Sequence, residues 1–386
     1  MNSSRSILRA CALGAVAAAA TLTQLHAAIP ATTGWFAIPN TQLRSVCAAD
    51  HGFPQVGGNT GCPAITSAWN SAVYDTKRNR MIVWGGGHTD YSGNEIYAIN
   101  MDTLSVSRLT DPGLPISSDC GESIVNGTQP NSRHTNDGIE YIESVDKMFV
   151  FGGSKSPCGF FSAGTWLFDF ATNTWSPVNA TGASPNGDAG MMTAYDPNTQ
   201  LIFLHDRSFL YSFDPATGKY TQLAQSTVGG IGWHSAATID PKRKKFIIAG
   251  FDDRIGTGAV YSIDITPGGS YKMTQLSTTG ATALANSSFP GLDYDPVSDR
   301  IVAWGEDTRN VVYSLNLDTS TWTSQTVSGG PAPAGNGVHG RWRYSKKYGV
   351  FVLVNSVDDN VVTFRLSPPG PADTLAPAAP QTLRAQ

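Results

Sequence analysis

Six segments of the chain share one pattern, and this repeat constrains the fold more than any other sequence feature. Each segment contains a short strand with an aromatic or apolar anchor, a polar turn, an apolar strand and a break. The anchors are Tyr74, Tyr141, Tyr195, Ile239, Tyr294 and Tyr344, and the breaks are Gly85, Gly152, His205, Gly250, Gly305 and Asn355. A third strand follows each break and a fourth follows most of them. This constant register indicates a repeated unit of four short antiparallel strands.

Repeated four-stranded units are typical of a β-propeller, in which each unit is one blade. We therefore predict an all-β propeller and count six blades. A seventh blade would require residues 111–131, or the start of the mature chain, to form a degenerate unit. The last unit ends after its third strand. The stretch 34–43 can supply the missing outer strand and close the ring, which removes exposed sheet edges.

Three stretches of the sequence resemble a known group of proteins. The stretches GGGHTDYSGNEIYAIN, NSRHTNDGIEY and GRWRYSKKYGVFVLVN are similar to exported bacterial propellers described as Kelch-like or galactose-oxidase-like. The GG after the second strand and the aromatics of the third and fourth strands resemble Kelch repeats. The resemblance covers residues 33–366. Propeller-type polysaccharide lyases, the ulvan lyases among them, share this broad architecture, so the resemblance implies the fold more strongly than the reaction.

The two ends of the chain differ from the repeats. Arg5 and Arg9, the apolar run 11–20 and the small-residue site at 25–27 form the pattern of an export signal. We expect residues 1–27 to be a signal peptide, 28–366 the propeller, and 367–386 a Pro/Ala-rich linker or truncated junction. The predicted location is secreted or periplasmic, with no membrane span because no apolar stretch is long enough.

Cysteine usage and charge agree with an exported protein. Removal of the signal leaves Cys47, Cys62, Cys120 and Cys158, an even number that favours disulfides. Sequence order suggests Cys47–Cys62 and Cys120–Cys158, although four cysteines allow three pairings. A metal site is the weaker alternative, since these cysteines form no CxxC pair. The net charge of −4 provides no basic surface for nucleic acid, and we expect a monomer.

Polar residues of the repeats are predicted to meet on one face of the ring. In a propeller, the loop before each innermost strand and the loop after the second strand reach the same end of the central channel. Five histidines occupy these two places: His88, His134, His205, His234 and His339. Several arginines accompany them, together with Tyr91 and Trp233. A structural alternative is that each lines the channel without any catalytic role. The turns on the opposite face are expected to be ordinary solvated turns.

This mixture of side chains suits β-elimination on a uronate-containing polysaccharide. That reaction needs a cation for the carboxylate, a base for the C5 proton and an acid for the leaving oxygen. Histidine titrates near neutrality, arginine binds carboxylates in a bidentate manner, and tryptophan can stack on a sugar. We assign proton transfer to His134 and His234, with His88 and Tyr91 as partners. The candidate substrate-binding residues are Arg133, Arg207, Arg254, Arg341, Arg343, Trp233 and His339.

Three other functions remain open at this stage. Hydrolysis by paired carboxylates would use acids from Asp90, Asp137, Asp206, Asp252, Asp253 and Glu306. Copper-radical oxidation would need a Tyr–Cys crosslink, whereas the cysteines are better explained as disulfides. A non-catalytic glycan- or protein-binding propeller would use aromatics such as Trp69, Trp233 and Phe289. No cofactor is assigned with certainty. A divalent metal such as Ca²⁺ or Zn²⁺ is the open alternative.

Overall fold

The computed structural model describes residues 29–226, 230–282, 284, 287–305, 309–332 and 335–368. The predicted signal peptide and nearly all of the predicted linker lie outside these residues, so both remain predictions. Within the described chain, six antiparallel sheets form blades around a central channel, as the repeat predicted. The innermost strands contact each other in ring order, from the first blade to the sixth and back to the first.

The first three blades follow the chain without interruption. Blade 1 consists of Ser71–Asp75, Arg80–Trp84, Tyr97–Asn100 and Ser105–Arg108. Blade 2 consists of Ile139–Ile142, Lys147–Val150, Thr165–Asp169 and Thr174–Val178. Blade 3 consists of Met192–Asp196, Leu201–His205, Phe209–Asp214 and Lys219–Gln225, with Thr181–Gly182 added in parallel at its outer edge.

The second half repeats this arrangement and closes the ring. Blade 4 consists of His234–Asp240, Lys245–Asp252, Thr257–Asp264 and Met273–Gln275. Blade 5 consists of Gly291–Asp295, Arg300–Trp304, Val311–Asn316 and Thr321–Thr326, with Thr279–Gly280 at its edge. Blade 6 consists of Trp342–Ser345, Val350–Leu353, Val362–Arg365 and the N-terminal strand Gly34–Ala37.

Closure of the ring by the N-terminal strand is confirmed. Gly34 pairs with Arg365 and Ala37 with Val362 in an antiparallel register, so the outer strand of blade 6 comes from the other end of the domain. Trp35 packs against Phe364, with ring centroids 4.7 Å apart. The alternative of a seventh blade is not supported, because residues 111–131 contain only the short hairpin Ser123–Ile124 with Gln129–Pro130.

The hydrophobic core is divided into clusters that lie between neighbouring blades. Alternate residues of a strand point to opposite faces of its sheet, so one strand contributes to two clusters. In blade 4, Phe246 and Ile248 pack against blade 3, whereas Ile247 and Ala249 pack against blade 5. This alternation explains why the inner strands are apolar on both faces: each blade is covered on both sides.

The hairpin between the first two strands has the same conformation in every blade. The residue five positions after the anchor has a positive φ throughout, at Asn79, Asp146, Gln200, Lys244, Asp299 and Gly349. In blades 2 and 5, the anchor tyrosine donates its hydroxyl to the aspartate at that position: Tyr141 to Asp146 at 3.1 Å and Tyr294 to Asp299 at 2.9 Å. The repeat detected in the sequence is therefore a repeat of backbone geometry.

Both predicted disulfides are present. Cys47–Cys62 fixes the segment that leads into blade 1, and its Cα atoms are 6.2 Å apart. Cys120–Cys158 connects the loop before blade 2 to a loop within that blade, with Cα atoms 5.7 Å apart. The helical elements are short: the 3₁₀ turns Leu43–Val46, Pro54–Val56 and His339–Arg341, and the helix Ala64–Ser67. Among the described residues, no helix is long and apolar enough to cross a bilayer.

Candidate functional site

Segments that precede the innermost strands meet at one mouth of the central channel. Backbone hydrogen bonds join them: Asn136 N–H donates to the carbonyl of Trp69 at 2.7 Å, and Phe289 N–H donates to that of His234 at 2.9 Å. His339 N–H in turn donates to the carbonyl of Phe289 at 3.1 Å. We call these five residues and the side chains that contact them the rim. The rim thus links neighbouring blades: blade 1 to blade 2, blade 4 to blade 5, and blade 5 to blade 6.

Four of these five residues have left-handed backbone conformations. The φ angles are 52° at Trp69, 46° at Asn136, 48° at Phe289 and 52° at His339. For residues with a Cβ, this region costs about 1–2 kcal/mol each. Such strain persists only where surrounding contacts impose it, and it clusters at functional sites. The same conformation occurs in the hairpins of the opposite face, so here it shows only that surrounding contacts hold these segments in place.

His134 is the most fully organised polar side chain of the rim. Its Nε2 lies 3.0 Å from Oδ2 of Asp90, and the other carboxylate oxygen of Asp90 accepts a hydrogen bond from Thr60 at 2.6 Å. The exposed ring of His88 lies 5.9 Å from that of His134, and the ring of Trp69 lies 5.3 Å away. A carboxylate, two imidazoles and an indole therefore lie together, with His88 exposed and His134 only 6% exposed beneath it.

The environment keeps His134 in its neutral form. Burial lowers the pKa of His134, and the charge of His88 acts in the same direction, while Asp90 partly opposes both. The net effect is a neutral imidazole at neutral pH. If Nε2 carries the hydrogen donated to Asp90, then Nδ1 carries the lone pair that can accept a proton. This arrangement is suited to a general base.

A second group of rings continues around the mouth. His234 is half-buried, 5.0 Å from Phe289, and its Nδ1 is 3.4 Å from the hydroxyl of Ser288. Phe289 in turn contacts His339 at 4.6 Å. His339 is buried, and among the described residues neither of its ring nitrogens has a hydrogen-bond partner. The backbone of Asn336 raises the pKa of His339, but burial has the larger effect. Burial lowers the pKa of His339 to about 3.

The predicted residues Arg207 and Trp233 form the part of the rim nearest blades 3 and 4. The guanidinium of Arg207 lies 4.1 Å from the centre of the Trp233 ring, a cation–π contact. Arg207 also pairs with Asp188 at 3.3 Å and remains partly exposed. Arg254 is held by Asp252, to which its Nε donates at 2.9 Å. Both arginines keep some solvent contact.

Three other predicted arginines have no exposed guanidinium to offer to a substrate. Arg133 donates to the side chains of Ser162 and Glu122 and to backbone carbonyls. Arg341 donates to the carbonyls of Asn70, Val354, Asn355 and Gly337, and so joins the end of blade 6 to blade 1. Both side chains are completely buried. Their contacts are those of structural residues, which does not fit the expected direct contact with substrate.

Arg343 lies inside the channel instead of on the rim. Its guanidinium donates to Glu140 at 3.0 Å, and the carboxyl groups of Asp137 and Asp293 are close enough to favour its charge. Burial raises the pKa of Glu140 to about 7, against the opposing effect of Arg343. Burial also raises the pKa values of Asp137 and Asp293. One arginine thus partly offsets the effect of burial, which raises the pKa of all three carboxyl groups.

Tyr91 and His205 are also withdrawn from solvent. Tyr91 donates its hydroxyl to Glu95 at 2.5 Å and is fully buried in the core between blades 6 and 1. His205 is 1% exposed, and burial lowers its pKa to about 3. Neither side chain contacts the open surface of the rim. The position of Tyr91 does not fit the partner role expected from the sequence.

The sequence reasoning did not identify Phe160 and Phe161. They are 68% and 46% exposed, on a loop that lies beside His134 and His88. Adjacent exposed phenylalanines next to a disulfide cysteine, Cys158, were the available signal. Several of the acids considered for hydrolysis already have partners within the protein, such as His134 for Asp90 and the backbone of Ala237 for Asp137. Asp206 caps the turn at Ser208, Asp252 binds Arg254, and Glu306 lies outside the described residues.

Among the described residues, one group of three side chains could be considered as metal ligands. The possible ligand atoms of Cys47, Asp50 and Cys62 lie within 4.8 Å of one another. The two cysteines are joined in a disulfide, so they cannot act as thiolate ligands. The chemistry of this group therefore does not suit a metal.

The fold and its channel define a six-bladed β-propeller. The sequence model of the KLHDC2/KLHL20/DRC7 Kelch-repeats domain matches residues 59–227, which contain blades 1 to 3. This match covers less than half of the chain, and together with the six-bladed arrangement it supports a Kelch-like β-propeller.

Solved structures agree on the fold. A structural genomics protein of unknown function from Bacteroides thetaiotaomicron is 10% identical, with a TM-score of 0.53 over 86% of this chain and 76% of that chain. The structure of YjhT is 12% identical, with a TM-score of 0.50 over 78% and 94%. No curated protein matches the sequence. At these identities the likeness concerns the fold alone.

Proposed function

We propose that this propeller is a carbohydrate-active enzyme that cleaves an acidic polysaccharide by β-elimination at the rim. The observation that carries the proposal is the His134–Asp90 pair, with Nε2 and Oδ2 3.0 Å apart, next to the exposed His88. A neutral imidazole oriented by a carboxylate is what abstraction of a carbon-bound proton requires.

The proposed steps follow from these positions. Nδ1 of His134 takes the C5 proton of a uronate residue, and the C–H electron pair forms the C4–C5 double bond. The C4–O bond breaks, and its oxygen receives a proton from the His88 imidazolium. Asp90 stabilises the imidazolium that forms on His134. Trp69 offers a ring on which a sugar can stack beside the base.

Arg207 and Arg254 are the candidate arginines that remain partly exposed and can attract an acidic chain, although each already pairs with an aspartate. The other three arginines of the original hypothesis are used within the protein, as described above. Because fewer arginines can contact a substrate than the sequence predicted, a second candidate function is favoured, in which the rim only binds a glycan through its aromatic rings. The two candidates differ in whether the His134–Asp90 pair is needed for a chemical product.

The experiment is to incubate the purified protein with ulvan, alginate, pectate, glucuronan and glycosaminoglycans, and to follow the ultraviolet absorbance of unsaturated uronate. The proposal expects product from at least one polymer, and its loss in His134→Ala but not in His51→Ala, a histidine outside the rim. A flat trace on every polymer, with reducing ends unchanged, would contradict it. Binding without product would favour the non-catalytic candidate.

A further inference from the structure

A pair of exposed phenylalanines occupies the loop nearest the proposed base. Large apolar side chains on a soluble surface are common singly, but a contiguous group beside a polar site marks an interaction surface. Phe161 also contacts Trp233, with ring centroids 6.2 Å apart. We call Phe160, Phe161 and Trp233 the aromatic platform.

The loop that carries the platform is braced on both sides. Cys158, two residues before Phe160, is joined to Cys120 in blade 2's disulfide. Glu122 accepts hydrogen bonds from Lys155 at 3.2 Å and from Ser162 at 2.7 Å, so both ends of the loop are tied to one carboxylate. A braced loop loses little conformational entropy when a ligand binds. Exposed aromatics held in place in this way are preorganised for binding.

The loop register places the platform directly beside the catalytic pair. Ser154 pairs with His134 on one side and with Phe161 on the other. Two strand spacings separate His134 from Phe161, which corresponds to about 10 Å between their backbones. Gly159 approaches the ring of His88 so closely that an added Cβ would lie 2.7 Å from Cδ2. The platform and the proposed site of proton transfer therefore form one continuous surface.

The size and chemistry of the platform favour a saccharide as its ligand. Phe161 is 46% exposed and Trp233 is half-buried against Arg207, so the platform offers well below the ~800 Å² that one partner contributes to a stable protein interface. A sugar has apolar faces for stacking and hydroxyl groups for polar partners, and the Arg207–Asp188 pair at the edge of Trp233 provides such partners.

We infer that the aromatic platform is a second sugar-binding subsite, which holds a further unit of the polysaccharide chain whose reacting unit lies at His134. This inference rests on the proposed function for its substrate class. It assigns to Phe160 and Phe161 a role in binding and not in chemistry. The binding of long polysaccharide chains should therefore depend on the platform. The binding of short oligosaccharides that reach only His134 should not.

The test compares Phe160→Ala/Phe161→Ala with Val297→Ala, a matched control that is 69% exposed in a hairpin on the opposite face. Affinity electrophoresis in ulvan, alginate and pectate gels measures binding, and the uronate absorbance assay measures KM and kcat. We expect roughly tenfold weaker binding and a higher KM for the double variant, with kcat unchanged. Val297→Ala should behave as wild type, and Phe161→Trp should retain binding.

The outcomes separate the two proposals. Unchanged binding and KM in the double variant would overturn the platform while leaving the lyase proposal in place. Weaker binding in the double variant, with no product from any polymer by the wild type, would support the platform and reject the lyase proposal. Absence of binding to all three polymers by the wild type would overturn the platform as a subsite for acidic polysaccharides.

Discussion

The buried His205 should make the stability of this propeller depend on pH. Burial lowers the pKa of His205 from 6.5 to about 3, and its Nδ1 is buried without a hydrogen-bond partner among the described residues. Below pH 6.5, the unfolded chain therefore binds a proton at His205 that the folded chain does not bind. Stability is fully present above the unfolded pKa and is lost as the pH falls from 6.5 toward 3.

The size of this effect follows from the two pKa values. Each pH unit within the window removes about 1.4 kcal/mol, so acidification to about pH 5 removes about 2 kcal/mol through this histidine alone. The replacement His205→Phe keeps a ring of similar shape and removes the proton-binding site. We expect the variant to lose about 2 kcal/mol less than wild type between neutral pH and about pH 5.

The assay is urea unfolding at the two pH values, with the free energy of unfolding extrapolated to water. His51→Phe is the control, since His51 is exposed and the substitution changes no core contact. His339→Phe should reproduce the effect, because burial lowers the pKa of His339 to about 3 as well. Equal losses of stability in wild type and His205→Phe would refute the reasoning.

Three further predictions concern the site, the closure of the ring and the disulfide. Asp90→Asn should leave the melting temperature nearly unchanged but lower kcat of the proposed lyase by about 10²-fold or more, since the amide no longer fixes the tautomer of His134; a wild-type kcat would contradict this. Trp35→Ala should cost about 2–4 kcal/mol in urea unfolding, because Trp35 packs on Trp304, Trp342 and Phe364; an unchanged midpoint would show that the N-terminal strand does not stabilise the ring. Replacement of Cys120 and Cys158 by serine should lower the free energy of unfolding by about 4 kcal/mol, since the disulfide closes a separation of 38 residues. The same unfolding assay under non-reducing conditions measures this, and a cost near zero would show that Glu122 alone holds the loop.

The repeat was the part of this protein that its sequence determined. The spacing from anchor to break is a local property, because each hairpin contains its own turn and its own apolar alternation. It correctly predicted six blades and closure by the strand Gly34–Ala37. The disulfides also followed from the order of the cysteines. These features depend mainly on residues near each other in the chain, or on a strand that has no other partner.

The exposure of the rim side chains was decided by the tertiary structure. Arg133 and Arg341 lie in segments before innermost strands, where the sequence predicted substrate contacts, yet both are fully buried and bonded within the protein, and His339 is 1% exposed. Phe161, which no repeat position marks, is exposed beside His134. A repeat fixes the path of the backbone, whereas the direction and burial of each side chain depend on the neighbouring blade and on loops that differ from blade to blade. The sequence therefore predicted which residues lie toward one face of the propeller, and only packing between blades determined which of them a ligand can reach.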